Sequence, residues 1–474
     1  MQSLLDIGVG VRAQLRDAMT TSLVGSVAET VGMTATVADF PAPVGAQVSI
    51  ERESGLRATG EVIGFRGQLT VAYLFTGSAG VRRGDRVQLE RTTRTLRVGG
   101  ALLGRVIDAH GKCIDGRPQP MLMGRIPLDR EPPAPVERPR IRQPLATGVQ
   151  VIDAMLTCGR GQRLGIFSGS GVGKSVLLGM MSRHTDADVI VTALIGERGR
   201  EVNEFLERDL GAAGLARSVV VVATSNEPAL TRVRAAFTAT AVAEYFRDKG
   251  RQVLLLMDSI TRFAMAQREI GLAAGEPPTT RGYPPSMYGL MPRLVERAGQ
   301  APTGSITACY SVLVEGDDET EPVADTMRGL LDGHIWLSRK LASRGHFPAV
   351  DVLASVSRLM NDVATDEHRA AATTIRRLLA AYAEHEDLLS IGAYRRGSNR
   401  EVDAAVEMRD AIEALFRQPV DRALSLEQVI SQLGQLAAQC QAKMDAPAGV
   451  GSPPIAALPA ASQLAASQPA PGAG

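Results

Sequence analysis

Aromatic residues make up only 4% of this 474-residue sequence, tryptophan occurs once, and the formal charges nearly cancel at +1. Such a balance supplies no global field to hold a nucleic acid or an acidic membrane. The six histidines show no ligand spacing. Cys113, Cys158, Cys309 and Cys440 are far apart and form no C-x-x-C pair. These absences argue against a disulfide frame or a cysteine–histidine metal site, and fit reduced thiols in a cytosolic protein. No apolar run approaches the length of a bilayer span, and the stretch from Met1 to Arg16 carries Asp6 and no continuous apolar core, unlike a secretory leader. The expectation is a soluble, cytoplasmic protein that reaches a membrane only through partners.

Glycine is plentiful, and one stretch organises the chain: Ser168-Gly169-Ser170-Gly171-Val172-Gly173-Lys174-Ser175. It follows the apolar run 164–167 and precedes the apolar run 176–181, which predicts strand, loop, helix. Glycines let such a loop turn tightly and aim its N–H groups inward, and the helix N-terminus adds positive potential, so the loop suits a polyphosphate. Lys174 would reach the β- and γ-phosphates and the Ser175 hydroxyl would ligate Mg²⁺. Ser168 stands where this pattern usually opens with glycine; a small residue is expected to fit.

The pattern predicts an α/β chain in several parts. Residues 1–23 are weakly amphipathic and read as a partner-docking segment or a frayed end. Over 24–97, short β-rich runs (34–37, 48–50, 61–63, 69–75 and 86–89) alternate with glycine turns, predicting a small closed β-barrel. Its aromatics, Phe65, Tyr73 and Phe75, are not interleaved with dense basic residues, so no nucleic acid is expected. Over 98–365 a proline-rich connection leads to a predicted helix at 147–156, then strands at 164–167, 189–195, 218–223, 253–257 and 305–314, with a long helix at 228–249 ended by Gly250. Continuously apolar strands alternating with helices predict a mostly parallel sheet with helices on both faces. Over 366–444 the chain reads as helices, one opened by the capping box from Ser425 to Gln428. The Ala/Pro-rich tail, 445–474, cannot build a core and is expected to be disordered.

Binding a phosphate is not hydrolysis. Asp258 ends a buried strand, where a carboxylate can hold Mg²⁺ beside the loop. Glu197 closes another, placed to orient or deprotonate an attacking water, and Arg198 beside it can meet developing phosphate charge. A surface Glu–Arg ion pair is the alternative for these two residues. Arg358 follows a further strand-like run; spacing alone does not separate a structural arginine from a finger, nor action in cis from action in trans.

Together, the loop 169–175, Gly196-Glu-Arg-Gly-Arg-Glu-Val202, Met257-Asp-Ser-Ile-Thr-Arg262, the stretches 275–278 and 282–285, Leu331-Asp-Gly-His334 and Ser355-Val-Ser-Arg358 resemble the type III export ATPases of flagella and injectisomes. These are relatives of the rotary ATP synthase catalytic subunit. The likeness runs from about Val24 to Leu433 and leaves out the tail. It implies ATP and Mg²⁺ as cofactors. Gly169, Ser170, Gly171, Val172, Gly173, Lys174 and Ser175 would cradle the nucleotide, and Asp258 would complete the metal site. Lys174, Glu197, Arg198 and Arg358 would be catalytic, and Arg262 would lie near the phosphates. Phe347 would lie against the adenine where the family usually has tyrosine. Arg358 would reach an adjacent subunit, which implies a homohexamer.

The same likeness implies a stator-like regulatory protein at the N-terminus, a central stalk protein and export chaperones and substrates at the C-terminal helices, and a membrane export gate met through partners. Residues 276–294 would lie near the ring's pore. The implied function is ATP hydrolysis energising type III protein export, with Met265-Ala-Gln-Arg268 and Glu276-Pro-Pro278 leaning to the flagellar version. The rivals are an injectisome ATPase, a non-catalytic ring subunit, which Glu197 argues against, and a ring-shaped RNA translocase.

Overall fold

A computed structural model describes residues 23–314 and 321–445. Apart from Leu23 and Asp445, the N-terminal segment and the tail singled out above lie outside them.

The expected barrel is present. Strands β1 (Val24–Val31), β2 (Thr34–Ala38), β3 (Gln47–Glu51), β4 (Arg57–Arg66), β5 (Leu69–Leu74) and β6 (Arg86–Arg91) close in the order β1-β2-β5-β4-β3-β6. Val27, Val37, Val48, Ile50, Val62, Leu74 and Val87 fill it. Tyr73 is buried, so of the barrel aromatics named above Phe65 alone is largely exposed. Closure leaves no free edge.

Strand β7 (Thr95–Val98) pairs with β9 (Gly124–Pro127), while β8 (Arg105–Asp108), between them in sequence, crosses into the central sheet. That sheet continues with β10 (Arg163–Ser168), β11 (Val189–Glu197), β12 (Ser218–Thr224), β13 (Gln252–Asp258), β14 (Ser305–Leu313), β15 (Gly333–Leu337) and β16 (Val350–Ser357). Its path is β16-β15-β10-β14-β13-β11-β12-β8; every pairing along it is parallel except that of β16 on β15. The five strands predicted by apolar runs are all there. β8 and β15 were not predicted: β8 pairs with residues over a hundred positions downstream, and β15 interleaves the half-exposed His334 and Trp336 with Ile335, hiding it from a search for continuous apolar runs.

Side chains alternate between two cores. Phe167, Val191, Ile195, Val221 and Met257 face helices α3 (Ala229–Arg247) and α4 (Ile260–Ala274). Ile166, Ile190, Leu194, Val222 and Leu256 face α1 (Gln150–Met155) and α2 (Lys174–His184). The same second core takes in the short α5 (Arg339–Ser343) and helices α6 (Asp366–Ser390), α7 (Arg400–Phe416) and α8 (Leu426–Asp445). Helices thus cover both faces, as expected. α1 starts later than predicted because Gly148 turns with φ +75°. The Asp153 carboxylate accepts the N–H groups of Thr147 and Gly148 at 2.9 and 3.1 Å, bending that stretch into a loop. The capping box forms in full: Ser425 Oγ accepts from Gln428 N at 3.2 Å and Ser425 N donates to Gln428 Oε1 at 3.0 Å.

The barrel is tied to the central domain by buried charge. Glu61 on β4 meets Arg94 at 3.0 Å and Arg234 on α3 at 3.5 Å. Burial pushes the Glu61 carboxyl up, and the two guanidinium groups oppose it. Removing one partner of a buried ion pair costs about 3–5 kcal/mol; with Arg94 still in place, Arg234→Ala is expected to cost about 2 kcal/mol. Amide exchange in β3 and β4 should then quicken while that of α2 does not. Unchanged exchange in the barrel would contradict the ionic tie.

Candidate functional site

Parallel strands share a direction, so the carboxyl ends of β10, β14, β13 and β11 lie side by side on one edge of the sheet, where open α/β sheets bind ligands. From β10 the chain enters the glycine loop and then α2. Gly171 and Gly173 have φ of +77° and +99°, which only glycine adopts without strain. The result is a cavity of about 800 Å³ lined by the loop, Lys174, Ser175, Glu197, Arg198 and Arg262. Its size suits a nucleotide.

Lys174, opening α2, puts Nζ 2.5 Å from Asp258 Oδ1 and 3.9 Å from Glu197 Oε1. Asp258 ends β13 and is buried behind the lysine, outside the cavity lining. Ser311, near the carboxyl end of β14 and fully buried, donates to the same Asp258 Oδ1 at 2.7 Å. Glu197 ends β11. Burial first, and the neighbouring Asp258 second, push its carboxyl up to about 7, against the pull of Lys174. A carboxylate balanced near neutrality can accept a proton from water at physiological pH.

The arginines differ. Arg262, in the first turn of α4, runs against Gly196, where a Cβ would lie 3.0 Å from the Arg262 Cβ; its Nε is buried without a partner. Arg198 stands at the mouth with 70% of its side chain exposed and pairs with Glu201 at 3.3 Å. So the surface ion pair weighed for the 197–198 stretch exists, but Arg198 makes it with Glu201, and Glu197 turns inward to Lys174. Phe347 is 47% exposed, and its ring comes within 3.6 Å of the position a Cβ on Gly173 would take. Its carbonyl accepts from Gln418 N at 3.0 Å, tying this edge of the loop to the segment between α7 and α8.

Arg358 is not in this cavity. β16 runs antiparallel, so Ser357 pairs with Gly333 at the start of β15, and Arg358 N donates to the Asp332 carbonyl at 3.0 Å. Asp332 in turn adjoins Arg163, where β10 begins. Arg358 therefore lies at the opposite edge of the sheet from the glycine loop, about 16 Å away along β10 alone.

Ser311 and Arg339 were missed by sequence reasoning. Ser311 sits inside a buried run with no motif of its own. Arg339, which opens α5, reaches so close to Gly169 that a Cβ there would lie 2.8 Å from its Nη2. Gly196 was seen only as part of a motif.

Ser168 is fully buried, and its hydroxyl has no hydrogen-bond partner. An unpaired buried hydroxyl contributes nothing to lose, so Ser168→Ala should leave the thermal midpoint unchanged or raised by up to about 1 kcal/mol equivalent, with nucleotide affinity intact. A large drop in either would reveal a bond for that hydroxyl.

Residues 148–357 match the ATP synthase alpha/beta family nucleotide-binding domain, and residues 364–435 match the T3SS EscN ATPase C-terminal domain. The chain is 48% identical over 435 residues to the flagellum-specific ATP synthase of Bacillus subtilis, covering 92% of this chain and 98% of the relative. It is also 48% identical to the type 3 secretion system ATPase of Xanthomonas euvesicatoria, covering 86% and 93%. The assembled ATPase EscN of the enteropathogenic E. coli type III secretion system superposes with a TM-score of 0.83 at 45% identity, covering 87% of this chain and all of that one. A further structure holds EscN in complex with its central stalk EscO, at a TM-score of 0.81 and 44% identity, with the same coverage. Fold, motif order and identity agree: the chain belongs to the family of type III export ATPases, the flagellum-specific and secretion-system relatives of the ATP synthase alpha/beta subunits.

Proposed function

We propose that this ATPase hydrolyses ATP in a cytoplasmic homohexamer that energises type III protein export, most directly flagellar protein export. The observation carrying the hydrolytic reading is Glu197, a half-buried carboxylate pushed toward neutrality at the rim of a nucleotide-sized cavity, 3.9 Å from the lysine of the loop. Flagellum-specific relatives recur among the similar proteins. The injectisome version is the second reading, favoured by secretion-system relatives at 48% and 45% identity. Neighbouring genes for rod and hook, or for needle components, decide between them.

Lys174 is paired with Asp258. An incoming triphosphate, held by the N–H groups of 169–175, competes for Lys174 with a larger negative charge. The released Asp258 and the Ser175 hydroxyl are hard oxygen donors, the kind Mg²⁺ takes together with phosphate oxygens and water. Asp258 Oδ1 is already oriented by Ser311, so the donor set fits that ion. When bound, Mg²⁺ supplies charge neutralisation at the phosphates. Glu197 then orients the attacking water and takes its proton, an effect of about 10²–10⁴ in rate. Arg262 lines the cavity and Arg198 its mouth, both disposed to meet phosphate charge. Phe347 offers an apolar ring beside Gly173 for the adenine; stacking needs only its π face.

Arg358, at the far edge of its own sheet, is proposed to act on the site of the next subunit, a contribution of about 10³–10⁵ in rate for such fingers. The assembled relative and its stalk complex support a ring with a central stalk protein. A stator-like protein at the N-terminus, chaperones and substrates at the C-terminal helices, and the membrane export gate complete the proposed partners. Among the described residues no helix is long and apolar enough to cross a membrane, so the peripheral location proposed here depends on those partners.

Glu197→Gln should bind Mg-ATP with near wild-type affinity and lose turnover by at least about 10²-fold; near-normal hydrolysis would sink the assignment. The pH profile follows from the raised carboxyl. Only ionised Glu197 accepts the proton, so kcat/KM, which reports the free enzyme, should climb as pH rises through about 7 and then level. A rate already flat from pH 5.5 upward would contradict Glu197 as the base.

A further inference from the structure

Among the described cations near the phosphate loop, Lys174, Arg198, Arg262 and Arg339 differ in what already holds them. Lys174 is paired with Asp258 and Glu197, and Arg198 with Glu201. Arg262 has its Nε buried and unpaired, and Arg339 makes no ion pair or side-chain hydrogen bond among the described residues. Arg339 reaches the loop from its outer side. Gly169 needs no left-handed turn, since its φ lies in the range open to any residue. The one close neighbour of a Cβ there would be the tip of the exposed Arg339 side chain, Nη2 at 2.8 Å, which marks how near the guanidinium lies to the loop.

The helix that carries Arg339 is pinned from behind. Ser338 Oγ caps α5 by accepting from Leu341 N at 3.4 Å. The next residue, Lys340, donates to Glu386 at 2.5 Å, and Arg344 at the other end of α5 donates to the same carboxylate at 3.3 Å. Glu386 belongs to α6 of the C-terminal helices. Between α5 and α6 lies a cavity of about 210 Å³ floored by Leu341, Val352, Leu378 and Phe416, so packing between the two elements is incomplete and the ion pairs span the gap.

We propose that Arg339 is a further phosphate-binding residue of the site, and that α5, held by Glu386, is the strut through which the C-terminal helices set its position. The proposal rests on the reading of 169–175 as a nucleotide loop. An unpaired guanidinium already against the loop gains charge-assisted hydrogen bonds when a polyphosphate arrives and gives up no existing partner to make them. Lys174, by contrast, must first leave Asp258. Glu386 touches no nucleotide; it is a positioning residue that acts only through Arg339.

The test is Mg-ATP affinity of the full-length chain, measured with a fluorescent ATP analogue, for Arg339→Gln, Arg339→Lys, Glu386→Gln and the Arg339→Gln/Glu386→Gln pair. Arg339→Gln should weaken binding by about tenfold or more, with Arg339→Lys recovering part of the loss and the nucleotide-free melting temperature unmoved. Glu386→Gln alone should cost about two- to fourfold, as a partly exposed ion-pair network would, and nothing further in the Arg339→Gln background. Arg339→Gln binding within about twofold of wild type overturns the phosphate contact. A silent Glu386→Gln, or a loss that simply adds to that of Arg339→Gln, overturns the strut. Lys174→Ala measured alongside keeps the two levels apart: if it too binds normally, the nucleotide loop itself has been misread.

Discussion

The parallel strands of the central sheet are buried on both faces, so charged side chains can stand only where strands end. That constraint places the chemistry. Val189 to Ile195 and Val253 to Met257 are wholly buried, and the first charge each strand admits after that run is Glu197 or Asp258. Both stand on the edge where the glycine loop leaves β10. Three charged groups forced together there set each other's state: Lys174 bridges the two carboxylates, and burial with Asp258 lifts Glu197 toward neutrality. Among the polar side chains buried within strands, Ser311 donates its hydroxyl to Asp258. A nucleotide would enter a site whose charges are already balanced, and would have to redistribute them.

The opposite edge is built with similar care and serves a different purpose. Gln162 donates to the Asp332 carbonyl and to Ser357 Oγ, both at 3.1 Å, and Ser357 donates on to the Thr157 carbonyl at 2.9 Å. Arg163 pairs with Asp332 at 3.2 Å. These bonds give Arg358 a rigid base on a face with no phosphate loop. A single chain thus carries the glycine loop on one edge and Arg358 on the other, as the proposal of sites completed between neighbours requires.

Much of this was legible in the sequence for physical reasons. The strands flanking the site are runs of Val, Ile and Leu with no charge to interrupt them, and the glycine loop, the strand-end carboxylates and the capping box at Ser425 are local patterns. The relations that were not legible are non-local. β8 joins the sheet by pairing with β12, far along the chain. Ser311 acquires a role only because β14 lies next to β13, and Arg339 only because β15 lies next to β10. Arg358 could be named but not placed: the antiparallel turn of β16, which carries it away from its own site, has no signature in the residues around it.

Mixed assemblies test the central claim, that the site is shared, most directly. Arg358→Ala chains and Lys174→Ala chains, each inactive alone, would be co-assembled and their ATPase rate measured against mixing ratio. Activity should return in the mixtures, at interfaces where an intact loop meets an intact arginine, and peak near equal proportions. Mixtures that stay as inactive as either parent would mean that Arg358 acts within its own chain or not at all, and the shared-site account would fail.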